Sequence, residues 1–164
     1  MGGRGSKGWR EGAKAGSADF RALPPAVLMI PLMQGLHLTA DLHGCDPAGP
    51  AMSSCEALRG LCLGAVRGSG LAPVGELFHR FAPAAPDRAP GGVTGVVLLA
   101  ESHLAVHTWP ELGAVTLDVY VCNFGADNSA RARALLDALV RAFAPRHCEH
   151  HEIARGARTA VAPA

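Results

Sequence analysis

Residues 95–122 read GVVLLAESHLAVHTWPELGAVTLDVYVC, and the order of runs and breaks within them decides the fold. Val96 to Ala100 is a short apolar, β-branched run, the mark of a buried strand. It stops at Glu101-Ser102-His103. A second short run, Leu104 to His107, is broken in turn by Thr108-Trp109-Pro110-Glu111. Ala114 to Cys122 then alternates apolar and polar residues and ends in a thiol. Strands that follow one another this closely favour antiparallel pairing. They also carry a hydroxyl, an imidazole and a thiol on elements stiff enough to hold a site.

Working outward, Leu36 to Leu42 alternates as a strand does, with His43-Gly44-Cys45-Asp46-Pro47 as the turn after it. Ser53 or Ser54 can cap a helix reaching about Arg67, whose apolar stripe is Cys55, Leu58, Cys62 and Ala65. Gly68-Ser69-Gly70 stops it, and Val74 to Phe81 is a second strand. The Pro-rich stretch 82–92 reads as a loop. Beyond the central strands, Asp127 or Asn128 caps a second helix through about Phe143, with Leu135, Leu136, Leu139, Val140 and Phe143 as its stripe. Pro145 ends it, and His147 to Ile153 makes a last strand. The expected fold is α+β: a two-layer sandwich of a mainly antiparallel sheet with two helices on one face. The other face then needs cover, which a symmetric partner subunit can supply.

The chain has 164 residues, 49 % hydrophobic and 18 % charged, enough for one domain with its own core. A formal net charge of +1 advertises no nucleic-acid partner. Residues 1–32 are rich in Gly, Ala and basic residues without a sustained period and read as a flexible extension. The apolar run Ala26 to Met33 is interrupted by Pro31 and too short to span a bilayer, so no membrane partner is expected. The organised domain is expected over 33–156, with a small-residue tail at 157–164. Cys45, Cys55, Cys62, Cys122 and Cys148 are odd in number and lack paired spacing, which argues for reduced thiols in a cytoplasmic protein.

By spacing alone the candidate site is ambiguous. Ser102 and His107 are five residues apart, so on an unbroken strand they face opposite ways and converge only if the chain bends between them. A lone Cys122 is more often a small buried hydrophobe than an acid. His147, Cys148, His150 and His151 raise a Cys/His metal-binding module as a non-enzyme alternative. Adjacent His150 and His151 would point to opposite faces of a strand, however, so a solvated edge strand is the better reading and no metal is expected.

Three strings change the balance: Ala100-Glu101-Ser102-His103-Leu104, His107-Thr108-Trp109-Pro110-Glu111 and Asp118-Val119-Tyr120-Val121-Cys122. Together they closely resemble bacterial and archaeal S-adenosylmethionine decarboxylase proenzymes. Gly35-Leu36-His37-Leu38, Phe78-His79-Arg80-Phe81 and Gly92-Val93-Thr94-Gly95 extend the resemblance, which covers roughly Met33 to Gly156. It implies a two-layer domain that forms at least a dimer, with active sites near the subunit interface. It also implies self-cleavage between Glu101 and Ser102. Ser102 Oγ attacks the Glu101 carbonyl, and elimination and hydrolysis leave a pyruvoyl group on residue 102. His107 matches the processing base and Thr94 a residue supporting the cleavage geometry. The pyruvoyl group forms a Schiff base with the substrate amine and acts as an electron sink. Cys122 matches the proton donor, a role that suits a thiol because its ordinary pKa of ~8.5 leaves it protonated at pH 7. Phe81 matches an aromatic that stacks on adenine, and Glu111 a carboxylate that takes ribose hydroxyls. The implied substrate is S-adenosylmethionine, with arginine or ornithine decarboxylation as the alternative on the same scaffold. Departures are Asn123 where Gly is frequent after the cysteine, Ala100 where many members have Ser, a long loop at 82–90, and Leu112 for a frequent aromatic.

Overall fold

The computed structural model describes residues 34–83 and 90–156. The expected extension at 1–32, the tail at 157–164 and most of the Pro-rich loop lie outside these residues. Six strands and two helices follow the expected order: β1 (Gly35–His43), α1 (Cys55–Gly68), β2 (Gly75–Arg80), β3 (Val93–Leu99), β4 (Ser102–Trp109), β5 (Ala114–Cys122), α2 (Ser129–Phe143) and β6 (His147–Arg155). They form one sheet in the order β2-β3-β4-β5-β1-β6, with every neighbour antiparallel. This is the expected α+β sandwich.

Alternation sorts the strand residues by face. Leu36, Leu38, Ala40 and Leu42 of β1, Val93, Val97 and Leu99 of β3, Leu104 and Val106 of β4, and Val115, Leu117, Val119 and Val121 of β5 are all buried in one cluster. The helices cover that face with Leu58, Cys62, Leu63 and Val66 of α1 and Ala132, Leu135, Leu136, Leu139 and Phe143 of α2. Fully burying one such side chain contributes about 1.5–3 kcal/mol before the cost of ordering it. In α1 the buried stripe turns slightly from expectation: Cys55 and Ala65 lie at its flank, and Val66 takes the centre. Cys62 sits within it, and burial pushes its thiol up to about 12.

The caps show how local chemistry sets the ends. Ser54 Oγ accepts from the Ala57 amide at 3.2 Å and starts α1. At α2 the cap position is Asn128, but its side chain turns away. Asp127 Oδ1 accepts from the Ser129 amide at 2.9 Å instead. Ala144 takes a left-handed φ of 43° before Pro145 ends the helix.

The opposite face of the sheet carries no helix among the described residues. Its row from edge to edge includes Ile153, His37, Tyr120, His103 and Leu98, paired in register. Leu77, Leu98 and Ile153 are exposed on it. The edge strand β6 is exposed along nearly all of its length, as a solvated edge would be.

Candidate active site

The break read at Glu101-Ser102-His103 is a two-residue hairpin loop. Leu99 pairs with Ser102, and Ala100 and Glu101 connect them. Ala100 holds φ 57°, the left-handed region that a Cβ disfavours. Ser102, half-buried, is the first residue of β4. The last β4–β5 pair is His103 with Tyr120, so beyond it the Cys122 amide has no strand partner on that side. It donates instead to Ser102 Oγ at 3.0 Å.

Cys122 is 5 % exposed yet lies outside the apolar cluster. Its register partner is Gly35, so its side chain is on the open face. Gly35 has no room for a side chain, because a Cβ would meet Tyr120 Oη at 2.8 Å. The chain after Cys122 is fastened by two asparagines. Asn123 Oδ1 accepts from the Asn128 amide at 2.9 Å, and Asn128 Nδ2 donates to the Cys122 carbonyl at 3.2 Å. The Asn123 amide donates to the Gln34 carbonyl at 2.7 Å. A side chain at 123 therefore has a local job here, which glycine could not do.

His107 and Thr94 face each other across β4 and β3 on the open face. Thr94 Oγ1 lies 2.7 Å from His107 Nδ1. Either hydrogen direction commits Nδ1 to the threonine and leaves Nε2 as the working nitrogen. Beside this pair is a cleft of about 630 Å³ lined by Phe81, Gly92, His107, Trp109 and Glu111, among others. Gly92 permits this floor, because a Cβ there would collide with the Thr108 carbonyl. Phe81 is 52 % exposed and lies beyond the end of β2, so it is not a core residue.

The chain does not bend between Ser102 and His107, because β4 runs unbroken from Ser102 to Trp109. The five-residue offset therefore leaves them on opposite sides of one strand, roughly 17 Å apart at ~3.3 Å per residue. Ladders on both sides over 103–107 hold β4 straight. Glu111 is exposed, so in a single chain it carries no penalty for lacking a hydroxyl partner. The candidate residues thus form two groups at opposite ends of β4. Glu101, Ser102 and Cys122 are at one end, and Thr94, His107, Phe81 and Glu111 are at the other.

Sequence reasoning also missed a polar cluster beside the first group. Asp118 accepts from His37 Nε2 at 2.7 Å and from His103 Nε2 at 3.2 Å. Only the pairing of β1, β4 and β5 brings these three residues together. The alternation that put them on one face was legible, but strand order was not.

Comparison with known proteins gives a consistent answer. Residues 36–156 match the S-adenosylmethionine decarboxylase family. An S-adenosylmethionine decarboxylase proenzyme of Picrophilus torridus is 36 % identical over 124 residues, 76 % of this chain and 85 % of the relative. One from Aquifex aeolicus is 36 % identical over 122 residues, 74 % of this chain and 81 % of the relative. The crystal structure of the adenosylmethionine decarboxylase from Aquifex aeolicus superposes with a TM-score of 0.66 at 32 % identity, covering 80 % of this chain and 98 % of that one.

Proposed function

The chain belongs to the S-adenosylmethionine decarboxylase family, and from that premise we propose a proenzyme that cuts itself between Glu101 and Ser102. The mature enzyme converts S-adenosylmethionine to CO2 and decarboxylated S-adenosylmethionine, which is the aminopropyl donor for spermidine synthesis. The observation that carries the site is the 3.0 Å bond from the Cys122 amide to Ser102 Oγ, just past a tight loop. Covalent geometry alone keeps Ser102 Oγ close to the Glu101 carbonyl. Its attack moves the acyl group from nitrogen to oxygen. Loss of the serine α-proton to a base then breaks the Cβ–O bond, and Glu101 departs as a carboxylate. Hydrolysis of the new N-terminus releases ammonia and leaves a pyruvoyl group. That group supplies the electron sink for decarboxylation. Cys122, buried beside residue 102, is the proton donor to the substrate's α-carbon.

The base in this reading is His107, with Thr94 holding its ring, and the distance along β4 means it comes from a second copy. A twofold axis near Ala105, midway along the strand, brings the His107 end of one open face to the Ser102 end of the other. The exposed Leu77, Leu98 and Ile153 on that face favour such cover. The same axis closes the cleft of Phe81 and Glu111 over the partner's Ser102. Phe81 then stacks on adenine, and the newly covered Glu111 accepts ribose hydroxyls. A covered carboxylate without those partners costs about 1–3 kcal/mol, which disfavours arginine and ornithine. The working domain is 33–156, with residues 1–32 as an extension. No helix among the described residues is long and apolar enough to cross a membrane, and five free thiols favour a reducing cytoplasm.

An intact-mass spectrum tests the reading. Wild-type protein should resolve into residues up to 101 and residues from 102 on, the second chain lacking a free amine. Ser102→Ala should stay whole. Cys122→Ala should cut yet release little CO2. An uncut wild type without CO2 release would sink the proposal, and turnover confined to arginine or ornithine would overturn the substrate alone.

A further inference from the structure

Maturation, as read above, removes two anchors of residue 102 and leaves its ladder pairing with Leu99. The peptide bond to Glu101 is broken, and elimination takes away the Oγ that accepts the Cys122 amide. The new chain end would then be the first residue of a strand, where backbones fray. The next residue, His103, is tied differently. Its Nε2 donates to Asp118 Oδ1 at 3.2 Å, while Asp118 Oδ2 takes His37 Nε2 at 2.7 Å. Arg155 Nη1 donates to His37 Nδ1 at 3.2 Å. A guanidinium has only donors, so Nδ1 must accept and His37 carries its proton on Nε2, the form that donates to Asp118. Tyr120 fills the middle, with ring centroids 5.9 Å from His37 and 5.7 Å from His103, and the Arg155 guanidinium carbon 5.8 Å from its ring centre. Five side chains from β1, β4, β5 and β6 thus meet around His103, the residue next to the new chain end.

We propose that Asp118, steadied by His37 and Arg155, is a positioning residue that anchors His103 so that residue 102 stays beside Cys122 once the chain is cut. The inference rests on the self-processing reading. It assigns Asp118 no part in breaking the bond, because the intact hairpin already holds Ser102.

The test compares Asp118→Ala in two backgrounds: the naturally cut protein and the uncut Ser102→Ala chain. Hydrogen–deuterium exchange of amides 103–106 is the readout. In the cut protein, exchange should rise about tenfold, the scale of losing one charge-assisted hydrogen bond. In the uncut chain it should change less than about twofold. CO2 release per pyruvoyl group should fall by a similar factor, with cutting at the wild-type rate. His103→Gln, whose amide can still donate to Asp118, should retain most of the effect, and His103→Leu should mimic Asp118→Ala. Equal changes in both backgrounds would mean a merely structural role and overturn the proposal. So would unchanged exchange in the cut protein, or an Asp118→Ala chain that never cuts. A wild type that stays whole would fail the self-processing reading itself, and this inference with it.

Discussion

At the loop between β3 and β4, Ala100 holds φ 57° while its Cβ crowds the backbone. A non-glycine residue there costs about 1 kcal/mol. The cost is stored one bond away from the Glu101–Ser102 peptide proposed to break, and cutting releases it. Ala100→Gly should therefore stabilise the uncut chain, measured in the Ser102→Ala background, by up to about 0.6 kcal/mol net of glycine's extra freedom when unfolded. Self-cleavage of Ala100→Gly with Ser102 intact should be slower. A thermal melt that falls on this substitution would remove the strain argument. The sequence offered the position but not the conformation. Ala100 was visible as a departure from the usual Ser, yet nothing in a single alanine predicts a left-handed turn. Only the pairing of Leu99 with Ser102, which leaves two residues to reverse the chain, requires it.

Among the elements, the tie between the helical layer and the site passes through Thr108. It is the buried polar side chain of the sheet. Its hydroxyl donates to the Met52 carbonyl at 2.7 Å, in the short turn Pro50–Met52 before α1, and accepts from the Val93 amide at 2.8 Å. Val93 begins β3, one residue before Thr94, so this hydroxyl sets the end of the strand that orients His107. Thr108→Val keeps the shape and strands both partners. It should cost about 2 kcal/mol or more in urea unfolding, whereas Thr108→Ser should cost less than half of that. Equal losses for the two would mean that the methyl group and not the hydroxyl matters. Elements were the most legible level of this protein, because helix stripes and strand alternation are local. The bounds of β1, α1 and α2 fall within a residue or two of expectation, while β4 is longer than the run Leu104 to His107 indicated. Polar Ser102, His103, Thr108 and Trp109 hid its ends, and each is held in the strand by ladder partners that the sequence does not display.

For the whole molecule, strand order decides what self-cleavage can do. The chain ending at Glu101 would contribute β1, β2 and β3, and the chain starting at Ser102 would contribute β4, β5 and β6. Because β1 lies between β5 and β6, the two chains interlock and should copurify after cutting. The same order explains why the candidate residues were legible while their grouping was not. The sequence puts Ser102 in the break just before the run that carries His107, but whether the chain bends between them depends on β3 and β5, which together flank 103–107. In the reading proposed above, an unbent strand with half a site at each end is completed by a second molecule, and mixing variants tests this. Ser102→Ala lacks the attacking hydroxyl, and His107→Ala lacks the base. Each alone should stay uncut. Coexpressed, they form a mixed dimer in which the Ser102 of the His107→Ala chain faces an intact His107 from its partner. That one chain should be cut, so the tagged His107→Ala protein alone should yield fragments, up to about half of it if dimers assemble at random. The mixed dimer should also recover CO2 release at its single complete site. Cutting of the His107→Ala chain by itself, at the wild-type rate, would show that the base is not this histidine. Failure of the mixture to cut, with mixed dimers verified by mass, would mean that β4 bends after all and the site closes within one chain.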